Sequence, residues 1–215
     1  MNNNTISKVL SILSEYIQTV HTPILDLVKI QTNDPFKILV GTILSARTKD
    51  ATTTQVLAKL FEKVNSPEDL LHLTITEIED LIYPIGFYRQ KAKYLKQLPI
   101  VLNFNFNNEI PDTIEELITL PGVGRKTANL VVILAFDKPA MCVDVHVHRI
   151  SNRFGYIKTK TPAESEIALR QKLPIEHWKT YNSILVAFGQ NLCKPVNPKC
   201  DICPVNTYCL RVNVK

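Results

Sequence analysis

Apolar residues recur at three- and four-residue spacing through most of the chain. Ile6, Val9, Leu10, Leu13, Tyr16, Ile17 and Val20 trace one face of an amphipathic helix. Asp34-Pro35 reads as an N-cap followed by proline at the first helical position. The segment it opens carries Phe36, Ile38, Leu39, Val40, Ile43 and Leu44. It is apolar nearly all round, as a centrally buried helix is. It ends in Ser45-Ala46-Arg47-Thr48-Lys49-Asp50, and Asp50 is expected to cap a second helix through Val56, Leu57, Leu60 and Phe61. Ser66-Pro67 repeats the cap-and-proline signal, and Thr74 with Glu77, Thr113 with Glu116 and Thr161 with Glu164 have capping-box spacing. Gly86 interrupts the chain ahead of a basic helix with Arg89, Lys91, Lys93 and Lys96. Asn103 to Asn108 reads as a polar loop carrying two aromatics, and a last long helix runs from Trp178 through Ile184, Leu185 and Phe188 to Gly189.

One segment resists this pattern. Val143-Asp144-Val145-His146-Val147-His148 alternates apolar and polar, which favours a strand. No second strand is available to pair with it, and a lone strand leaves backbone groups unsatisfied. Asp144 as an N-cap, with Val145 to Arg153 helical, resolves the conflict. The expected fold class is therefore all-α.

Chemistry concentrates at Leu120-Pro121-Gly122-Val123-Gly124-Arg125-Lys126-Thr127-Ala128-Asn129, which holds two of the chain's six glycines. Both glycines can take backbone angles that other residues resist. A glycine turn that opens a helix presents backbone N–H groups at the positive end of the helix dipole, which suits a phosphate. A lysine in that first turn is awkward, because the dipole prefers an anion. The Gly-x4-Gly-Lys-Ser/Thr phosphate loop is absent. A helix–hairpin–helix fits: an apolar residue, Pro-Gly-x-Gly, then a basic helix start.

Four of the five cysteines follow as Cys193-x6-Cys200-x2-Cys203-x5-Cys209, while Cys142 stands alone among apolar residues as a buried thiol. Zinc sites usually join two Cys-x2–4-Cys pairs across a longer spacer. Four cysteines in one compact loop suit a cubane iron–sulfur cluster better. Lys194 and Lys199 give that loop a basic edge able to meet a phosphate backbone. The net charge of +5 is compatible with nucleic acid. No apolar run approaches the ~18 residues of a membrane span, and the start of the chain lacks a secretory pattern. A reducing compartment follows as the expectation: cytoplasmic and nucleoid-associated, or nuclear or organellar, and not secreted.

Glycine turn, Lys126, Asp144 and cysteine loop occur in this order and spacing in one family. The chain resembles endonuclease III, the helix–hairpin–helix base-excision DNA glycosylases with an associated lyase activity. The matching elements are Leu120 to Asn129, Val143 to Ile150 and the four cysteines, with weaker matches at Leu44-Ser45-Ala46 and Gly86-Phe87-Tyr88. The resemblance implies a two-lobed all-α fold. A helical barrel over residues 28–138 would carry the hairpin. Residues 1–27 and 139–215 would form a second domain holding a [4Fe–4S] cluster on Cys193, Cys200, Cys203 and Cys209. The catalytic pair and the DNA cleft would lie between them, with a hinge near Asp137-Lys138-Pro139.

The implied reaction is removal of oxidised pyrimidines from duplex DNA, followed by strand cleavage 3′ to the abasic site. A damaged base is reached only after it is flipped out of the duplex. Lys126 would attack the sugar C1′ and form a Schiff base, and Asp144 would stabilise positive charge on the sugar. Amides at Gly122, Val123, Gly124 and Arg125 would hold phosphate without reading sequence, with His146, Lys194 and Lys199 as further DNA contacts. Phe87 would wedge between bases, unless it packs on Tyr88 and Tyr94. Arg47 occupies a position where relatives often carry glutamine to fill the gap left by the flipped base, which leaves lesion preference open. The partner would be double-stranded DNA with damaged bases or abasic sites, and the protein a monomer. Two other readings are a monofunctional mismatch glycosylase, which would lack the lysine, and a non-catalytic iron–sulfur DNA-binding protein, which would need neither Lys126 nor Asp144.

Overall fold

The computed structural model describes residues 1–20 and 32–214, and all regular structure among them is helical. The chain divides into two compact units, Ile24–Lys138 and Met1–Pro23 with Pro139–Lys215. The expected domain boundary at residues 27 and 28 lies outside the described residues. No described helix is long and apolar enough to cross a membrane.

In the Ile24–Lys138 unit the helices are α2 (Pro35–Ser45), α3 (Asp50–Phe61), α4 (Pro67–His72), α5 (Ile75–Ile82), α6 (Tyr88–Phe106), α7 (Ile114–Leu117) and α8 (Arg125–Phe136). Asp34 caps α2, with Oδ1 accepting the N–H of Phe36 at 2.9 Å. Every residue of α2 from Ile38 to Leu44 is buried, and α2 packs chiefly on α8. Helix α6 lies on α4 and α5. Leu95, Leu98 and Leu102 are fully buried there, with Leu70 and Ile78.

The other unit contains α1 (Asn3–Ile17), α9 (Val145–Arg153), α10 (Pro162–Lys172) and α11 (Trp178–Asn191), followed by the cysteine loop. Asn2 caps α1 by accepting the Thr5 N–H at 2.9 Å. The α1 face of Ile6, Val9, Leu10 and Leu13 packs with Ile150, Phe154, Tyr181, Leu185 and Phe188 in one core.

Three local expectations change. Asn103 to Asn108 is not a loop: α6 continues to Phe106 and ends where Asn107 and Asn108 turn left-handed, at φ 50° and 67°. Burial of Leu98 and Leu102 carries the helix through the weakly helical asparagines, and Phe104 is simply left exposed at 88%. Asp50 is the first residue of α3 rather than its cap, which is Lys49. Gly189 lies inside α11 rather than at its end. A Cβ there would meet His146 Nδ1 at 2.5 Å, so the glycine allows α9 and α11 to approach closely.

Candidate active site and metal centre

The hairpin closes by short backbone bonds. Leu120 N–H donates to Leu117 O at 3.1 Å, and Val123 N–H donates to Leu120 O at 3.2 Å. Val123 is buried and pins the turn, while Gly122, Gly124, Arg125 and Lys126 are exposed. The two glycines have different reasons to be there. Gly122 has φ +79°, and a Cβ would lie 2.6 Å from Tyr94 Cδ2. Gly124 is extended at φ −97°, and a Cβ there would meet nothing within 4 Å. The sequence expectation of unusual angles thus holds for Gly122 alone. At Gly124 the missing side chain leaves open space beside the first turn of α8, whose N-terminus carries no side-chain cap. Gly122→Ala is expected to destabilise the fold by about 1–3 kcal/mol, read as a lowered Tm. Gly124→Ala is expected to leave Tm unchanged and to weaken binding to abasic-site duplex.

The same unit brings Arg47 and Phe87 beside the hairpin. Arg47 follows the end of α2 and Phe87 precedes α6, at φ 56° and 59°. The Arg47 guanidinium lies over the Phe87 ring at 5.4 Å. Tyr88 pairs edge-on with Tyr83 instead, and Phe87 stays 65% exposed. Arg47, Phe87, Lys91, Tyr94 and Gly122 line one cavity of about 300 Å³. Lys91 has no role in the sequence reading beyond a basic face, yet it is buried at 6% exposure. The available signal was its register: it lies on the same helix face as Leu95, Leu98 and Leu102.

In the other unit Asp144 is the N-cap of α9. Its Oδ1 accepts the N–H groups of His146 and Val147, each at 2.8 Å. The helix replaces the strand that alternation favoured, because this carboxylate satisfies the donors at the helix start. His146 Nδ1 meets Arg149 Nη2 at 3.1 Å, and that guanidinium also donates to Cys193 O at 2.9 Å. Burial pushes the Arg149 pKa below its ordinary value. Arg153, also buried, donates to Lys194 O at 2.7 Å, Pro195 O at 2.8 Å and Cys193 Sγ at 3.4 Å. These bonds tie α9 to the cysteine loop. Lys194 and Lys199 are exposed on that loop.

Cys193, Cys200, Cys203 and Cys209 form no disulfide and line one cavity with Phe154, Phe188 and Leu192. Among the described residues no three His, Cys, Asp or Glu side chains converge as a site for a single metal ion, although all four cysteines line the same cavity.

Comparison with known proteins decides the family. The model of the HhH-GPD superfamily of base excision DNA repair proteins matches residues 40–174. Endonuclease III of Thermotoga maritima is 46% identical over 176 residues, which span 82% of this chain and 83% of that protein. The chain belongs to the endonuclease III family. The iron–sulfur binding domain of endonuclease III matches residues 193–209. A trapped endonuclease III–DNA covalent intermediate, an estranged-adenine complex, is similar at a TM-score of 0.87 and 34% identity, covering 98% of this chain and 97% of that one. A thermostable thymine-DNA glycosylase is similar at 0.83 and 29%, covering 97% of each.

As an endonuclease III family member the protein is a DNA-binding base-excision repair enzyme, a DNA glycosylase with AP-lyase activity. It carries a [4Fe–4S] cluster. The residues present fit that group. Four cysteines line one largely apolar space, and the Arg153 guanidinium and the Arg211 N–H each donate to a sulfur at 3.4 Å. Such bonds temper the charge that thiolates bring to a cluster.

Proposed function

We propose that the enzyme removes oxidised pyrimidines from duplex DNA, with Lys126 as nucleophile and Asp144 as the partner carboxylate. The observation that carries the assignment is the placement of Lys126 in the first turn of an uncapped helix, directly after the open space at Gly124. A phosphate can approach the backbone there, which brings the sugar of the same nucleotide toward the amine.

Lys126 Nζ attacks C1′, the bond from C1′ to the base breaks, and the base leaves with a proton. The nitrogen lone pair then opens the sugar: C1′–O4′ breaks, O4′ takes a proton, and the C1′=N Schiff base so formed acidifies C2′. Loss of the C2′ proton expels the 3′ phosphate, which leaves with the C3′–O electron pair, and the strand is cut 3′ to the lesion. Asp144 has one oxygen holding the start of α9 by two backbone bonds, so its second oxygen has a set direction. That oxygen offsets positive charge on the sugar.

Arg47 fills the space of the flipped-out nucleotide, and Phe87 wedges beside it. The amides of Gly122, Val123, Gly124 and Arg125 hold phosphate, and Lys194, Lys199 and His146 add contacts from the other domain. The cluster is bound by Cys193, Cys200, Cys203 and Cys209, and its role is to hold the shape of the loop that bears Lys194 and Lys199. We assign the barrel to residues 28–138 and the cluster domain to 1–27 with 139–215. The enzyme acts as a monomer in the compartment that holds the genome.

A second reading is mismatch repair, favoured by the similarity to a thymine-DNA glycosylase. Duplexes carrying thymine glycol or a G·T mismatch separate the two. The expected result is cleavage and a borohydride-trapped adduct on the thymine-glycol strand. Preferential excision at G·T overturns the assignment of substrate.

A further inference from the structure

The cavity beside the hairpin holds a contact set that the proposed chemistry does not use. Lys91 Nζ donates to Leu44 O at 2.9 Å and to Ala46 O at 2.6 Å. These carbonyls lie at the end of α2, beyond the reach of that helix's own N–H groups. The end has no left-handed glycine to close it, since Ala46 is the C-cap at φ −56°. An ammonium from α6 donates to both carbonyls, beside a longer bond of 3.4 Å from Thr48 Oγ1 to Ala46 O, and sits at the negative end of the α2 dipole. Burial pushes the Lys91 pKa down to about 8. Desolvating an amine in this way is a cost that a solvated surface lysine does not carry.

The chain leaves this anchor directly into Arg47. Two further contacts join the Arg47 turn to the Phe87 turn. Gly86 N–H donates to Thr48 Oγ1 at 3.1 Å, and the site of a Gly86 Cβ lies 2.6 Å from Arg47 O. The next residue is Phe87, whose ring the Arg47 guanidinium covers. Arg47 and Phe87 both hold left-handed backbone without being glycine. Such conformations persist only where the surroundings impose them. Lys91 on one side and the Thr48–Gly86 joint on the other are those surroundings.

We propose that Lys91 is the positioning residue of a two-turn tip, anchoring the end of α2 so that Arg47 and Phe87 enter the duplex as one coupled unit. The inference rests on the reading of Arg47 and Phe87 as the residues that replace the flipped-out nucleotide. It goes further by making them a single device and by naming what holds it.

The test uses the full-length, cluster-containing protein and a duplex with a tetrahydrofuran abasic analogue opposite 2-aminopurine. The fluorescence of 2-aminopurine reports insertion into the helix, which a loss of stability in a still-folded protein does not mimic. Arg47→Ala is expected to remove the fluorescence change. Lys91→Met is expected to remove most of it as well, and to lower kcat/KM on thymine glycol by tenfold to a hundredfold, the scale of a small misplacement. Lys91→Arg, which keeps donors and charge, is expected to recover part of both. The double variant Lys91→Met with Arg47→Ala is expected to be no worse than Arg47→Ala alone, as for residues acting through each other.

If Lys91→Met folds and keeps the wild-type fluorescence response, or if the two substitutions multiply, the inference is overturned. If Lys91→Met does not fold, Thr48→Val breaks the same assembly from its half-exposed side, and an unchanged response in that variant overturns the inference. A wild-type response in Arg47→Ala defeats the reading of Arg47 on which the proposal stands. A lost response in Arg47→Ala beside an intact one in Lys91→Met defeats only the role of Lys91.

Discussion

Lys126→Ala is expected to yield no borohydride-trapped adduct on abasic-site duplex and to lower lyase turnover on the order of 10³-fold or more, the scale of losing a nucleophile. Lys126 is exposed in the first turn of α8. Alanine is a better helix former than lysine, so the substitution should change stability by no more than about 0.5 kcal/mol. Activity is therefore expected to disappear from a protein with unchanged Tm and an intact cluster absorption. DNA affinity should persist, because the hairpin amides and the basic loop remain. An equal yield of adduct from the alanine variant would mean that another amine attacks C1′. Lys91 is a lysine of the same unit with a lowered pKa, but its Nζ is already committed to two carbonyls.

The second large effect comes from Asp144, whose two duties respond differently to substitution. As the N-cap of α9 it accepts two backbone N–H groups, and as the proposed partner carboxylate it supplies charge. Asparagine matches aspartate as an N-cap, whereas alanine costs about 1 kcal/mol there. Asp144→Asn should keep Tm within a few degrees of wild type and still lower glycosylase turnover by on the order of 10²- to 10³-fold, the usual cost of losing a preorganised electrostatic group. Asp144→Ala should show a similar loss of activity together with a Tm lower by about 2–4 °C. Rates and melting curves of the two variants thus separate the chemical role from the structural one. If Asp144→Asn retains wild-type turnover, Asp144 is a cap and nothing more.

The helices were legible wherever local chemistry and burial agreed. Asp34, Thr74, Thr113 and Thr161 each cap the helix expected from their spacing. Asp144 shows how a polar residue outweighs a periodic pattern: six alternating residues favour a strand, yet a single carboxylate that satisfies two N–H groups supports a helix. Asn103 to Asn108 went the other way. Its composition favours a loop, and burial of Leu98 and Leu102 just upstream extends the helix almost to its end.

The linear chain was enough to place the protein in its family. Lys126, Asp144, a glycine turn and a four-cysteine loop stand in the order and spacing of endonuclease III, and the reaction class follows from that resemblance. The cluster was legible too, because the four cysteines proposed to bind it lie within one loop, the stretch matched by the iron–sulfur binding domain. Only the tertiary structure distinguished Gly122, forced by Tyr94, from Gly124, which faces open space. Only it placed Arg47 on Phe87, with Lys91 beneath the turn that carries Arg47. These contacts join residues some 40 positions apart. Local pattern carries no information about which distant backbone carbonyl will lack a donor, and that shortage arises only when the end of one helix is packed against the face of another.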